Sequence, residues 1–213
     1  AYHPIIVNLS PSEMEEYESL TQAIATLKPK STNEEEFTDK QKHLLIRRAK
    51  LIASAERKVP KLLELITQKF SAGLEKDALR DTLIYCAPGS HREVLRSLAG
   101  LGLRCHEFVH TVPMTDRESV LRNFACGDIQ VLVAIKCLDE GVDVPSTKTA
   151  YFLASTTNPR EFVQRRGRVL RLFEGKTRAE LYDFIVVPDP ESPETRTSRE
   201  IAKSILRREM PRF

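Results

Sequence analysis

Among the eight glycines of this 213-residue chain there is no G-x-x-x-x-G-K-[ST] run, so a P-loop cradle for a nucleotide's phosphates is missing. No D-E-x-[DH] acid pair follows an early strand either. Asp139-Glu140 belongs to a turn-like run further along, and adjacent acids seldom converge on one substrate atom. No apolar stretch approaches the roughly 20 residues needed to span a bilayer, and the start, A-Y-H-P-I-I-V-N-L-S, lacks the basic-then-apolar layout of a signal peptide. No membrane partner is expected, and the location expected is cytoplasmic. The four cysteines (Cys86, Cys105, Cys126, Cys137) include no C-x-x-C pair and lie mostly in apolar runs, which predicts reduced, buried thiols. Cys105, His106 and His110 do not add up to a metal site, because on a strand Cys105 faces away from both histidines and no fourth ligand is evident. The net charge of +3 is small, so any nucleic-acid binding must come from local patches. The chain does not start with Met, which leads us to expect an excised part of a longer protein.

What is present is the composition of a soluble globular chain, 41% hydrophobic and 30% charged, long enough for a substantial core. Ile5 to Leu9 reads as a short strand. Ser10 or Ser12 can cap a helix running to about Leu27, with Glu13, Glu15 and Glu16 favourably placed at its positive end. Pro11 to Asp39 carries a net charge of −6, with Ser31 to Asp39 reading as a linker, and Lys40 to Lys61 reverses this to +7. That basic helix can track a phosphate backbone, pair with the acidic segment, or face solvent. A further helical pattern (Val59, Leu62, Leu63, Ile66, Phe70) follows, with Pro60 at its start or kinking it.

From Thr82 the pattern becomes alternating short β runs and helices. The strands expected are Thr82 to Ala87, Arg104 to Val109, Gln130 to Ile135, Thr149 to Ala154 and Glu180 to Val187. Between them lie a helix after Gly89-Ser90, ended by Gly100 and Gly102, and another capped by Thr115-Asp116 with Gly127 past its end. This alternation predicts an α/β fold, an open, mostly parallel sheet with helices on both faces, preceded by a helical N-terminal segment. Tyr85, Phe108, Phe152 and Phe184 are expected in the core. The tail from Pro188 begins as a loop, and Ser198 to Met210 is expected to be helical.

Asn158 to Arg171, N-P-R-E-F-V-Q-R-R-G-R-V-L-R, sets five arginines against one acid. With Pro159 opening a helix, Gln164, Arg168 and Arg171 share one face, and Gly167 permits a close approach there. Guanidinium groups so concentrated suit phosphate, unless they form an ordinary solvated basic helix. Upstream lies L-D-E-G-V-D-V-P, Leu138 to Pro145. Together the two stretches resemble motifs V and VI of superfamily 2 helicases and translocases. The motif VI form Q/H-x-x-G-R-x-x-R is met by Gln164, Gly167, Arg168 and Arg171, and the Gly-x-Asp of motif V by Gly141 and Asp143. D-T-L-I-Y-C-A looks like motif IV. The resemblance covers about Asp81 to Val187 and fits a second RecA-like domain. His3 to Phe70 is similar to the helical connection between RecA-like domains in the XPB-type and Swi/Snf-type DNA translocases.

The resemblance implies three regions: residues 1–80 as a strand and helical connection following a first RecA-like domain, 81–190 as the helicase C-terminal RecA-like domain, and 191–213 as a helical tail. It also implies roles. Arg168 and Arg171 would act as arginine fingers on ATP, held with Mg²⁺ mainly by the first domain. Asp143 would accept from the ribose, Gly141 would admit the nucleotide, and Gln164 would couple the cleft to nucleic acid or to a water. Ser90, Thr111 and Lys136 would contact the nucleic-acid backbone, although Ser90 and Thr111 equally suit turns or caps. The family's threonine entering motif V is replaced here by Ile135-Lys136. DNA is expected in preference to RNA, and alone the chain should be inactive. The alternative is a non-catalytic α/β module that binds nucleic acid or protein through the same arginines.

Overall fold

The computed structural model describes residues 1–27, 38–71, 73, 76–109, 111–135, 144, 146–154, 166–167, 169–171, 173, 176–188, 200, 201, 203, 205 and 207. Six strands are described: β1 (Tyr2–Asn8), β2 (Thr82–Tyr85), β3 (Cys105–Phe108), β4 (Val131–Ala134), β5 (Thr149–Phe152) and β6 (Glu180–Val187). They form one sheet in the order β1-β6-β5-β2-β4-β3, with every pairing parallel. The α/β class and the helices on both faces are those the sequence predicts.

Residues of period two explain why the central strands read as continuous apolar runs. Ile84 and Cys86, with Val131 and Val133, enter the cluster on one face. Leu83 and Tyr85, with Leu132 and Ala134, enter the cluster on the other. The first face is covered by α3 (Lys58–Ser71) and α4 (His91–Gly100), through Val59, Leu62, Ile66, Val94 and Leu98. The second is covered by α5 (Met114–Cys126), through Val120 and Phe124, and by Val169 of the arginine-rich stretch. Tyr85, Phe108, Phe152 and Phe184 are all buried, and so present no face on which a base could stack.

Before β2 stand α1 (Pro11–Thr26) and α2 (Asp39–Ala53). Ser10 caps α1 in a full capping box with Glu13, and Thr38 caps α2 in another with Gln41. Ser10→Ala is expected to cost about 1 kcal/mol, read as a fall of about 2–4 °C in thermal melting. An unmoved midpoint would assign the cap no net contribution. Pro60 lies in the first turn of α3, where it removes no helical hydrogen bond, so α2 and α3 are separate helices.

The structure shifts three local expectations. β1 starts at Tyr2 rather than Ile5, because its whole length pairs with β6, from Tyr2 opposite Leu181 to Asn8 opposite Val187. It therefore belongs to the main sheet although it precedes residue 80. α5 begins at Met114 after Pro113, and Thr115 makes no cap bond, its hydroxyl facing Asp116 instead. Gly127 does end α5, in the left-handed region at φ 84°. Finally, the cysteines are not uniformly buried. Cys86 is buried, with its thiol pushed up to about 12 by burial, whereas Cys126 is exposed. A neutral thiol reagent should therefore label Cys126 in the native chain and reach Cys86 only after denaturation. Native labelling of Cys86 at a comparable rate would contradict that burial. Cys137 lies outside the described residues.

Candidate nucleotide and nucleic-acid interface

Because every strand is parallel, the connections after β2, β3, β4 and β5 all leave from one edge of the sheet, where open α/β sheets bind ligands. All the residues singled out from the sequence belong to those connections. Ser90 follows β2. Its hydroxyl donates to the carbonyl of Ala87 at 3.0 Å and makes no cap bond to α4, so Ser90 closes a turn. Gly89 precedes it at φ 100°, a conformation that a side chain would strain. Thr111 follows β3 and is exposed, beside a turn closed by the Val112 amide on the carbonyl of Val109 at 3.0 Å. Lys136, Gly141 and Asp143, after β4, and Gln164 and Arg168, after β5, lie outside the described residues.

Of the arginine-rich stretch, Arg166, Gly167 and Val169 are helical, and the Leu170 amide donates to the carbonyl of Arg166 at 2.9 Å. This turn is anchored in several ways. Val169 is buried in the core. Lys176, itself buried, donates through Nζ to the carbonyls of Val169 and, at 3.0 Å, Arg171. It thus acts as a cation on the negative end of the helix. Burial lowers the pKa of its amine, with Asp81 opposing. Gly167 is exposed, and a Cβ placed on it would meet no described atom within 4 Å, so the opening there is not used by the rest of the described chain. Arg171 turns to the surface, flanked by the exposed apolar side chains of Leu170 and Phe173.

Arg166 behaves differently from Arg171. Its guanidinium lies 3.5 Å from the carboxylate of Asp183, a fully buried residue, and 4.2 Å from the ring centroid of Tyr2. The Tyr2 hydroxyl donates to the same carboxylate oxygen at 3.0 Å. Burial, and then the charge of Asp183, push the Tyr2 phenol up to about 12.

The basic helix α2 divides its charges. Arg47 pairs with Glu16 of α1 at 2.8 Å, while Arg48 is buried, within reach of the Thr21 hydroxyl at 3.2 Å and over the ring of Tyr17 at 5.6 Å. Lys40, Lys42, Lys50 and Arg57 are exposed. Lys58, at the start of α3, is buried and donates to the carbonyls of Ile52 at 2.8 Å, Ala53 at 3.4 Å, and Leu153 at the end of β5.

Tyr2, Asp183, Lys176 and Lys58, which hold the arginine-rich turn and the helical segment to the sheet, are the residues that sequence reasoning misses. Asp183 did leave a trace: it is the one acid inside L-Y-D-F-I-V-V, and a lone carboxylate in a buried strand requires a donor or a cation. Nothing local marks the two lysines.

Comparison with known proteins agrees with this arrangement. The family described as "Helicase conserved C-terminal domain" matches residues 57–173, more than half of the chain. The DNA 3'-5' translocase XPB2 of Sulfurisphaera tokodaii is 43% identical over 56 residues, covering 26% of this chain and 13% of that protein. The putative ATP-dependent helicase IRC3 of Saccharomyces cerevisiae is 24% identical over 123 residues, covering 57% of this chain and 18% of that protein. The chain thus spans less than a fifth of the length of either relative. In fold it is similar to the Sulfolobus solfataricus SWI2/SNF2 ATPase core domain, at TM-score 0.60 and 12% identity over 87% of this chain and 39% of that one. It is also similar to the C-terminal part of the Fun30 ATPase domain, at TM-score 0.56 and 12% identity over 95% of this chain and 89% of that one. With six parallel strands described, the motif IV-like run forming β2 and the motif V- and VI-like runs in the connections after β4 and β5, this chain belongs to the helicase conserved C-terminal domain family, as a second RecA-like domain of superfamily 2.

Proposed function

We propose that this chain is the second motor domain of an ATP-dependent helicase or translocase acting on DNA in preference to RNA. Its part is to supply Arg168 and Arg171 to the γ-phosphate of ATP held by a first RecA-like domain of the same parent protein. The observation that supports this reading is the anchored helical turn in the connection that leaves the carboxyl end of β5, on which Arg171 is exposed. An arginine on an anchored mount suits a phosphate whose negative charge is redistributed in the transition state. The fit extends to what the sequence lacks. It has no phosphate cradle and no early acid pair for Mg²⁺, so the nucleotide and its metal would be held mainly by the other domain.

In this reading ATP and Mg²⁺ supply the phosphoryl group and its charge neutralisation. This chain's own residues do the rest. Arg168 and Arg171 donate to the phosphate, Asp143 accepts from the ribose, Gly141 admits the nucleotide, and Gln164 relays between the cleft and the nucleic acid. Ser90, Thr111 and Lys136, on three neighbouring connections, would hold the backbone of the nucleic acid. The named activity of the S. tokodaii relative, a DNA translocase, favours DNA. RNA helicases also occur among the relatives, such as the ATP-dependent RNA helicase dbp8 of Aspergillus oryzae, 28% identical over 98 residues, 46% of this chain and 22% of that protein.

The test is nucleic-acid-stimulated ATP turnover by the parent protein, wild type beside Arg168→Ala and Arg171→Ala, with the 213-residue chain alone as the blank. Turnover that survives both substitutions, or a parent without ATPase activity, would leave these arginines to binding or structure. The chain would then be a non-catalytic module.

A further inference from the structure

Asp183 sits in the middle of β6 with no solvent exposure, opposite Pro4 of β1 and Phe152 of β5. A carboxylate in that place is tolerable only with a counter-charge and hydrogen bonds. Arg166 and Tyr2 provide both, at 3.5 Å and 3.0 Å, and the guanidinium is at the same time spread over the Tyr2 ring. The Arg166 side chain is mostly buried, at 21% exposure, so its charge is directed into the sheet and not towards a ligand. Its backbone carbonyl receives the amide of Leu170, which makes Arg166 the first residue of the turn that Lys176 closes at the other end.

We propose that Arg166 is a positioning residue, which clamps the motif VI turn to β6 and β1 through Asp183 and Tyr2 and touches no phosphate itself. This rests on the reading of Arg168 and Arg171 as the groups that act on ATP, and it separates one arginine of the cluster from its neighbours by role. Burial keeps the Tyr2 phenol a protonated donor throughout the physiological range. Rigid placement matters because a displacement of about 1 Å at a catalytic group can cost about a hundredfold in rate.

The experiment is a double-mutant cycle on ATP turnover by the parent protein: Arg166→Met, Asp183→Asn and the two combined, with Arg168→Ala and Arg171→Ala alongside. Each clamp substitution alone is expected to lower kcat about tenfold or more, with KM for ATP within about twofold, because ground-state binding is untouched. Since Arg166→Met strands a buried carboxylate, its loss of turnover is ambiguous by itself, and the double variant decides. Removing the stranded charge should bring kcat at least about fivefold above the Arg166→Met single and raise its melting temperature, the non-additivity of groups that act as a unit. If the two losses multiply instead, Arg166 acts on nucleotide or nucleic acid directly and the clamp is overturned. Wild-type turnover in both single variants, beside inactive Arg168→Ala and Arg171→Ala, also overturns the clamp while leaving the finger reading standing. Wild-type turnover in Arg168→Ala and Arg171→Ala removes that reading, and the positioning role with it.

Discussion

Arg168→Ala in the parent protein is expected to lower nucleic-acid-stimulated ATP turnover about a thousandfold, with Arg171→Ala close behind. Three decades in rate correspond to about 4 kcal/mol of transition-state stabilisation. A loss of that size is credible for a guanidinium acting in a closed, water-poor cleft, where charge on the phosphate is weakly screened. It should appear in kcat with little change in KM, because the arginine meets the nucleotide fully only when the two domains close. Arg168→Lys should recover little, since an ammonium keeps the charge but loses the planar fork that spans two phosphate oxygens. Arg171 is exposed, and the melting temperature of Arg171→Ala, measured alongside, separates a loss of rate from a loss of folding. A turnover loss below tenfold, measured by steady-state ATPase assay, would end the assignment.

The second large effect is one of stability. Lys58→Met is expected to destabilise the chain by about 3 kcal/mol, because one buried and two half-buried carbonyls lose a charged donor at once. The carbonyls of Ile52 and Ala53 end α2, and that of Leu153 ends β5, so one amine ties the helical segment before the sheet to the strand that leads into motif VI. Methionine fills much the same volume, which isolates the hydrogen bonds from the packing. For a domain of this size the melting temperature should fall by about 6–12 °C. A shift under about 2 °C would mean that water replaces the amine at all three carbonyls.

Much of the fold was legible because it depends on local pattern. The central strands are buried on both faces and therefore read as short, uninterrupted apolar runs, with bounds right to within a residue or two, as at Thr82–Tyr85 and Glu180–Val187. Some caps were legible for the same reason, since Gly127 after Cys126 and Ser10, one of the two serines expected to cap α1, act within one turn, whereas the expected Thr115-Asp116 cap does not form. The first three residues of β1 were not, since Tyr2-His3-Pro4 has no strand-like run of its own. They pair only because β6 lies alongside. Nor was the division of labour within α2, where Arg47 and Arg48 turn to α1 while Lys40, Lys42 and Lys50 stay in solvent.

The candidate site divides along the same line. The sequence alone determined the family, the class of sheet and the motif that carries the arginines, because these are written in residue order: strand–helix alternation, and Gln164, Gly167, Arg168 and Arg171 at fixed spacing. It could not tell one arginine of N-P-R-E-F-V-Q-R-R-G-R-V-L-R from another. What separates Arg166 from Arg171 is a carboxylate 17 positions later and a ring 164 positions earlier, brought to 3.5 Å and 4.2 Å by the parallel pairing of β1 with β6. Charge in a buried place is governed by what lies within a few ångströms of it, and only the tertiary structure decides which residues those are.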